Sequence, residues 1–442
     1  MSPFANRFVL SVIAAAALAS SAFAGTVTVI TSFPKELTGI YKAAFEKAYP
    51  SIKLEILNKS TTQGIAYLRE LPVGQRPEIF WASAPDAFEV LAGQNLLENI
   101  ADQANKQVPA KVGSYPVNNP QGLYLGQALA GYGLMWNKRY LAANKVPAPA
   151  QWADLMKPVY FNHAAMSSPS RSGTTHLTVE TLLQGEGWDK GWSQLLQIAG
   201  NSAAITERSF GVPDGVNNGQ FGIGLVIDFF GLASKFTGFP VDFIYPDVTA
   251  IVPANIGLIK GSKNADEARQ FIRYSVSMEG QLLLLDPKIS RLPVLPASMM
   301  GGKVPAGYPD PFELAKRAKV NFDSDLSESR YNVVSSLFDQ TITYRHKELR
   351  AATKAIHEAA AALQKKPNPE GLALLKQARD LAFTPAVGAG LAGDKSFLAL
   401  FTANKKDASA NKELTGLEDR WNAKAKDNYA RAEAMAKQAG AR

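Results

Sequence analysis

The chain has 442 residues and no cysteine, which excludes disulfides, thiolate metal sites and cysteine nucleophiles. Its 47 Lys and Arg outnumber its 39 Asp and Glu, and the formal net charge of +8 favours anionic ligands and surfaces. The basic residues are dispersed, without a basic block interleaved with aromatics, which argues against nucleic acid as a partner.

The N-terminal segment 1–24 has the pattern of a cleavable signal peptide. Arg7 gives a short basic start, and Phe8 to Ala19 is a mostly apolar run, shorter than the roughly 20 residues that a membrane span needs. Ala22-Phe23-Ala24 then supplies small residues for signal peptidase, which predicts Gly25 as the mature N-terminus. Because the chain also lacks a cysteine for lipid attachment, we expect a protein free in the periplasm.

Short β-type runs alternate with amphipathic stretches in the first half of the mature chain. The predicted strands are Thr26 to Ile30, Ile52 to Leu57 and Glu78 to Ala82, and the predicted helices start near Pro34, Thr62 and Asp86. This order is typical of one half of a doubly wound α/β sheet, in which ligands bind beyond the carboxyl ends of the strands.

The pattern repeats in a second half. The predicted strands are Gly126 to Trp136, Phe161 to Ser167, Phe221 to Ile227, Val241 to Ile244 and the apolar segment Val248 to Lys260. A helix is predicted over Thr174 to Leu183, and another over Ala265 to Leu285 behind a capping box formed by Asn264 and Glu267. Two α/β halves joined by two crossover strands predict two lobes with a cleft between them.

The composition and periodicity of the sequence change from about Tyr308 onwards. The segments Ser327 to Leu363, Glu370 to Ala382 and Leu417 to Ala439 are rich in Ala and Lys and have helical periodicity. We therefore expect lobe 1 to comprise residues 25–128 and 252–300, lobe 2 residues 129–251, and a helical C-terminal extension residues 301–442. The predicted fold class is α/β, with doubly wound sheets, two crossover strands and this extension.

Polar residues follow the ends of the first three predicted strands. These candidate ligand-binding residues are Thr31, Ser32, Ser60, Thr61, Thr62 and Ser83. Each group offers hydroxyls, together with the backbone N–H groups of a helix start, to one point in the cleft. The alternative is that each residue only caps its own helix.

The segment Ser168 to His176 lies between a predicted strand and an amphipathic helix. Gly173 permits a close backbone approach, and the helix start presents unpaired N–H donors. Its candidate ligand-binding residues are Ser170, Arg171, Ser172, Gly173, Thr174 and Thr175. Hydroxyls, helix-start amides and a guanidinium are the chemistry of a phosphate, phosphonate or carboxylate pocket. A plain N-cap role for Ser172 or Thr174 is the alternative.

Two charged residues complete the candidate site. Arg208 precedes a turn, and Asp228 ends an apolar strand, where a carboxylate is costly without a partner. We expect both to contact the part of the ligand outside the acidic group. The alternative is a structural Arg208–Asp228 pair.

Three stretches resemble the iron(III)-type family of extracellular solute-binding proteins. They are SSPSRSGTTHLTVETLLQGEGW (167–188), RSFGVPDGVNNGQFGIGLVIDFFG (208–231) and VPANIGLIKGSKNADEARQFIRYSVSMEGQ (252–281). The likeness runs from Thr26 to Pro293 and is greatest for the branch of phosphoglycerate, hexose-phosphate and aminoethylphosphonate receptors. It implies a two-lobed periplasmic binding protein of type II-like topology that closes about a hinge and delivers its cargo to an inner-membrane ABC permease.

One departure from the family pattern bears on metal binding. Ferric-ion receptors of this family carry two adjacent tyrosines where this chain has Phe229 and Phe230, and phenyl rings have no oxygen to donate to Fe(III). The four histidines are scattered, so the sequence predicts neither a metal site nor a cofactor.

The sequence thus predicts a monomeric, non-catalytic receptor that closes around a small organic anion, a phosphate ester or phosphonate, for an ABC importer. Three rival functions remain open at this point. They are a regulatory receptor that signals to a membrane sensor kinase through the same site, a ferric-ion receptor, and a periplasmic enzyme such as a phosphatase.

Overall fold

The structure is a computed structural model that describes residues 25–402 and 408–441. The predicted signal peptide, residues 1–24, lies outside the described residues. Within the described part of the chain, no helix is both long and apolar enough to cross a bilayer.

The N-terminal elements alternate between strand and helix. They are β1 (Gly25–Thr31), α1 (Lys35–Ala48), β2 (Ile52–Asn58), α2 (Thr61–Glu70), β3 (Ile79–Ala82) and α3 (Pro85–Gly93), then a hairpin of β4 (Lys111–Val112) and β5 (Tyr115–Pro116). β1 lies in parallel between β2 and β3, so the carboxyl ends of all three strands meet at one edge. The helices that follow these strands therefore begin at that edge.

The middle of the chain contributes seven more strands and seven α-helices. They are β6 (Leu125–Asn137), α4 (Lys138–Asn144), β7 (Ala164–Ser167), α5 (Gly173–Glu186), α6 (Trp188–Asn201), β8 (Ser202–Thr206), α7 (Gly211–Asn217), β9 (Ile223–Ile227), α8 (Asp228–Phe236), β10 (Val241–Ile244), β11 (Ile251–Leu258), α9 (Ala265–Val276), α10 (Met278–Leu283) and β12 (Leu292–Pro293). The strand order is β2-β1-β3-β11-β6-β9-β7-β8, and β10 and β12 also pair with β6.

The long strand β6 runs through both halves of this sheet. Its first part pairs with β11 as far as Gly131, and its second part pairs with β9 from Tyr132 onwards. We define lobe 1 as strands β1–β3, β11, β12 and the first part of β6, together with their helices. We define lobe 2 as the second part of β6 together with β7–β10 and α4–α8. The predicted α/β fold with two lobes is confirmed, and the lobes join at Gly131 and Tyr132.

Helices make up the C-terminal extension, which we define as α11 to α18. They are α11 (Pro311–Arg317), α12 (Ser324–Ser329), α13 (Tyr331–Phe338), α14 (His346–Lys365), α15 (Pro369–Phe383), α16 (Ala389–Ala392), α17 (Lys395–Thr402) and α18 (Ala408–Ala441). A π-helical turn, Asp339–Thr343, separates α13 from α14. One face of α18 is buried, and it combines two large aromatic side chains, Trp421 and Tyr429, with small ones such as Ala432 and Ala436.

Several local predictions were wrong. Asn264 does not cap α9 with its side chain, because its amide donates to the backbone oxygen of Thr26 at 2.8 Å instead. The predicted helix over Ala265 to Leu285 breaks where Ser277 caps a new helix, α10. Asp86 lies inside α3 rather than at its cap. The strand β8 was not predicted.

Candidate functional site

The cleft between the lobes contains a small cavity lined largely by residues at the starts of helices. Its lining residues are Ser32, Phe33, Pro34, Ser60, Arg171, Ser172, Thr174, Arg208, Ser209, Phe229 and Phe230. Six of the predicted site residues therefore lie together: Ser32, Ser60, Arg171, Ser172, Thr174 and Arg208. The cavity is built by both lobes, since α1 and α2 start on one side of it and α5 and α8 on the other.

Two serines cap the helices that face each other across this cavity. The Ser60 hydroxyl accepts from the Gln63 backbone N–H at 3.3 Å in a capping box at the start of α2. The Ser172 hydroxyl accepts from the Thr175 backbone N–H at 3.2 Å at the start of α5. First-turn amides have no partner within their own helix, and the positive ends of two helix dipoles meet here. This arrangement suits an anion.

The two lobes touch beside the cavity. The Thr62 hydroxyl donates to the Ser170 backbone oxygen at 2.9 Å, and a Cβ built on Gly173 would lie 2.7 Å from the Cβ of Ala84 and 2.9 Å from Oγ1 of Thr61. Gly173 thus permits a close approach, but the approaching atoms belong to lobe 1 and not to a ligand. The structure represents a closed arrangement of the lobes at this point.

Several other predicted site residues are hydrogen-bonded to the protein, and Thr31 and Thr175 are also buried. Thr31 Oγ1 accepts from the Phe33 backbone N–H at 3.1 Å, and the hydroxyl of Thr175 bonds to that of Ser167. The hydroxyl of Ser170 bonds to that of Ser168 at 2.8 Å. Thr31, Thr61, Thr62, Ser83, Ser170, Gly173 and Thr175 do not line the cavity, and they support the residues that do.

The two predicted arginines lie at the rim of the cavity. Arg171 is 41% exposed and pairs with the exposed Glu207 at 3.4 Å. The guanidinium of Arg208 lies 5.0 Å from the ring centre of Phe210, and partial burial lowers the pKa of Arg208. Both side chains are placed to add positive charge at the mouth of the cavity.

Asp228 is wholly buried at the junction of the lobes. Its Oδ2 accepts from the Gly131 backbone N–H at 2.7 Å and from the Tyr245 hydroxyl at 3.0 Å, and its Oδ1 accepts from the Phe229 N–H at 2.7 Å. Burial raises the pKa of Asp228 to about 7. The described residues show no Arg208–Asp228 pair, and Asp228 lines neither this cavity nor its larger neighbour. These contacts tie α8 to the hinge strand β6.

A larger cavity of about 500 Å³ continues the cleft and shares Phe33, Pro34, Phe229 and Phe230 with the smaller one. Its most notable lining residue is Arg291, whose guanidinium is buried in the cleft and donates to the Ser83 hydroxyl at 3.0 Å. Sequence reasoning missed Arg291. Asp286, Lys288 and Ser290 come just before Arg291 in the sequence, so no local apolar pattern indicated that it is buried.

Phe229 and Phe230 lie in the cleft with their ring centres 4.3 Å apart. They line both cavities and present only carbon to them. Among the described residues, no group of three or more His, Cys, Asp or Glu side chains is arranged to hold a metal ion.

Comparison with known proteins places the chain in a family. The family described as bacterial extracellular solute-binding protein matches residues 75–311, more than half of the chain. The chain belongs to this family. A curated relative, the phosphoglycerate transport regulatory protein PgtC of Salmonella typhimurium, is 32% identical over 384 residues, which cover 86% of this chain and 90% of the relative. The resemblance inferred from the sequence is confirmed.

Solved structures of binding proteins share the fold. The periplasmic binding protein AfuA from Actinobacillus pleuropneumoniae, with fructose-6-phosphate bound, aligns with a TM-score of 0.63 at 16% identity, over 72% of this chain and 99% of that one. The periplasmic binding protein P5PA aligns with a TM-score of 0.60 at 20% identity, over 74% of this chain and 99% of that one. Iron-bound HitA from Pseudomonas aeruginosa aligns with a TM-score of 0.57 at 16% identity, over 70% of this chain and 99% of that one. The two-lobed periplasmic binding protein fold is confirmed.

Proposed function

We propose that this family member binds a small organic anion with a phosphoryl group, a phosphate ester or phosphonate, and delivers it in the periplasm to an inner-membrane ABC permease. The observation that carries the proposal is the pair of helix starts, capped by Ser60 and Ser172, that face one cavity from opposite lobes. An anion held by both helix starts stabilises the closed arrangement over the open one.

The charges around the cavity support an anionic ligand. Arg171 and Arg208 lie at its rim, and Arg291 lines the adjoining space. In many proteins, phosphoryl oxygens accept hydrogen bonds from helix-start amides and from hydroxyls. The relative of 32% identity carries the words phosphoglycerate transport in its name, which agrees with this ligand class.

A thermal-shift screen of the purified mature protein tests the proposal. The panel contains phosphate esters, phosphonates, dicarboxylates, amino acids, neutral sugars and ferric citrate. A ligand at about 100 times its dissociation constant adds roughly 2.7 kcal/mol of stability, so a matching phosphoryl compound raises the melting temperature clearly. A panel in which only neutral sugars or amino acids stabilise the protein would overturn the phosphoryl assignment.

A second candidate role is regulatory, because the same relative is named a regulatory protein. In that role ligand-driven closure is read by a sensor kinase ectodomain in place of a permease. The binding site is the same in both roles, so the screen does not separate them. Pull-down of ligand-saturated protein against the permease and against the sensor ectodomain does.

A further inference from the structure

Arg291 has an unsatisfied hydrogen-bonding edge inside the cleft. The residue is 1% exposed, and of its side-chain nitrogens only Nη1 has a hydrogen-bond partner, Ser83, among the residues that the structure describes. The Nε and Nη2 atoms have none. A buried guanidinium with two idle donors is costly unless a ligand supplies the acceptors.

Two phenyl rings fix the plane of this guanidinium. The ring centres of Phe33, from lobe 1, and Phe229, from lobe 2, each lie 3.8 Å from Cζ of Arg291. Cation–π stacking on both faces holds the side chain in one orientation and leaves its edge for hydrogen bonds. Since Phe229 comes from the opposite lobe, the stack is complete only when the lobes are closed.

Among the described residues, no carboxylate forms a direct ion pair with Arg291. Asp228 is its acidic neighbour, but both carboxylate oxygens of Asp228 accept hydrogen bonds from Gly131, Phe229 and Tyr245. Burial lowers the pKa of Arg291 to about 9, while the negative charge of Asp228 opposes that shift. The guanidinium therefore remains a cation at neutral pH, available to an anion in the cleft.

Elsewhere in the same protein, Arg330 shows that Nε and Nη2 of an arginine can bind one carboxylate together. Its Nε and Nη2 donate to the Glu180 carboxylate at 2.9 and 2.7 Å, a two-pronged contact through the same two nitrogens that are idle in Arg291. These parallel donors match the spacing of the two oxygens of a carboxylate. Arg291 thus has the donor geometry of a carboxylate site.

We infer that the ligand carries a carboxylate as well as a phosphoryl group, and that Arg291 binds the carboxylate through Nε and Nη2. The phosphoryl group binds at the helix starts capped by Ser60 and Ser172, and the carboxylate lies in the adjoining larger cavity. The inference rests on the proposed function and narrows it to phosphorylated carboxylic acids. Phe33 and Phe229, which line both cavities, stand between the two subsites.

The test compares matched probes by isothermal titration calorimetry. 3-Phosphoglycerate carries both acidic groups, and glycerol 3-phosphate has an uncharged hydroxymethyl group in place of the carboxylate. We expect the protein to prefer 3-phosphoglycerate by at least about tenfold, the value of one hydrogen-bonded charge pair. Arg291→Gln should remove this preference, because it should weaken binding of 3-phosphoglycerate at least about tenfold more than binding of glycerol 3-phosphate. Arg291→Lys, which keeps the charge and loses the planar edge, should retain only part of it.

The outcomes separate the two proposals. Equal wild-type affinity for both probes overturns the carboxylate inference and leaves the phosphoryl site standing, and this comparison needs no variant to fold. An equal loss for both probes in Arg291→Gln likewise overturns it. Binding of neither probe, with binding of some other class in the screen, overturns the proposed function itself. Arg420→Gln, exposed on α18, is the charge-matched control.

Discussion

Ser327 of the C-terminal extension donates a 2.9 Å hydrogen bond to Oδ2 of Asp86 in lobe 1. The same oxygen lies 3.5 Å from Nε2 of His176 in lobe 2, and the His176 ring stacks on Tyr331 of the extension at 4.0 Å. One buried cluster thus joins both lobes and the extension behind the cleft. An extension that contacts both lobes at their seam is in a position to follow the change between open and closed forms.

The Asp86 cluster predicts a pH dependence of stability. Burial raises the pKa of Asp86 from 3.8 to about 7, so between these values the folded protein keeps a proton that the unfolded chain loses. The folded state then binds more protons, and this carboxyl's contribution to stability is lost as the pH rises through the window. We expect the unfolding free energy of Asp86→Asn, relative to wild type, to increase between about pH 5 and about pH 8.

Urea denaturation at both pH values measures this difference. Burial lowers the pKa of His176 to about 3, which works in the opposite direction, but His176 is present in both proteins and its effect largely cancels. Asp419→Asn, exposed on α18, serves as the control and should show a constant difference. If the unfolding free energy of Asp86→Asn relative to wild type stayed level or decreased as the pH rises, the raised pKa of Asp86 in the folded protein would be contradicted.

A second prediction concerns the buried ion pair that fixes the extension to lobe 2. Glu180 is fully buried, and the side chain of Arg330 is 9% exposed. Arg330→Met leaves an unpaired buried carboxylate and should lower the free energy of unfolding by about 3–5 kcal/mol. Removing both charges in Glu180→Leu/Arg330→Met should recover most of this loss, since no buried charge remains without a partner.

Chemical denaturation followed by circular dichroism measures both variants. The surface pair of Lys376 and Asp380, whose side chains are 77% and 59% exposed, provides the control, and Lys376→Met should have little effect. If Arg330→Met were as stable as wild type, the pair would not hold the extension in solution.

Local sequence patterns were sufficient to predict strands and helix starts that form the cleft. The strand over Val241 to Ile244 has the predicted bounds, and Ser172 stands at a helix start, as its place between a strand and an amphipathic helix indicated. Such features depend on residues a few positions apart, which the sequence displays directly. Six of the predicted residues consequently line one cavity.

Features that depend on distant residues were not predictable in this way. Asp228 was singled out correctly as a buried charge, but two of its donors, Gly131 and Tyr245, come from other strand regions and leave no local signal. Arg291 was missed because the rings that stack on it lie far away in the sequence. Helical periodicity predicted the extension, although nothing in it indicated the contact between Ser327 and Asp86.

A third prediction uses the close approach of the lobes at Gly173. The methyl group of Gly173→Ala would lie 2.7 Å from the Cβ of Ala84, so the closed arrangement must open slightly. Overpacking of this kind costs about 1–3 kcal/mol, which weakens ligand binding by at least about fivefold, while each lobe remains intact. Calorimetry with the strongest phosphoryl ligand of the screen measures the loss, and small-angle X-ray scattering should show a larger radius of gyration.

Gly390→Ala is the matched control, because no atom lies within 4 Å of a Cβ built at Gly390. It should bind and scatter like the wild type. Unchanged affinity and scattering for Gly173→Ala would mean that the lobes do not approach each other at this glycine when ligand is bound.

A fourth prediction concerns the helix start that carries the phosphoryl proposal. Ser172→Ala/Thr174→Ala removes two hydroxyls that line the small cavity, and we expect the affinity for a phosphate ester to decrease by at least about tenfold. Ser172 also caps α5, so the double variant should lose about 1 kcal/mol of stability for a reason unrelated to the ligand. Ser277→Ala separates these effects, because Ser277 caps α10 in the same way and does not line the cavity. Calorimetry should show wild-type affinity for Ser277→Ala and weak binding for the double variant, and equal binding by both would place the phosphoryl group elsewhere in the cleft.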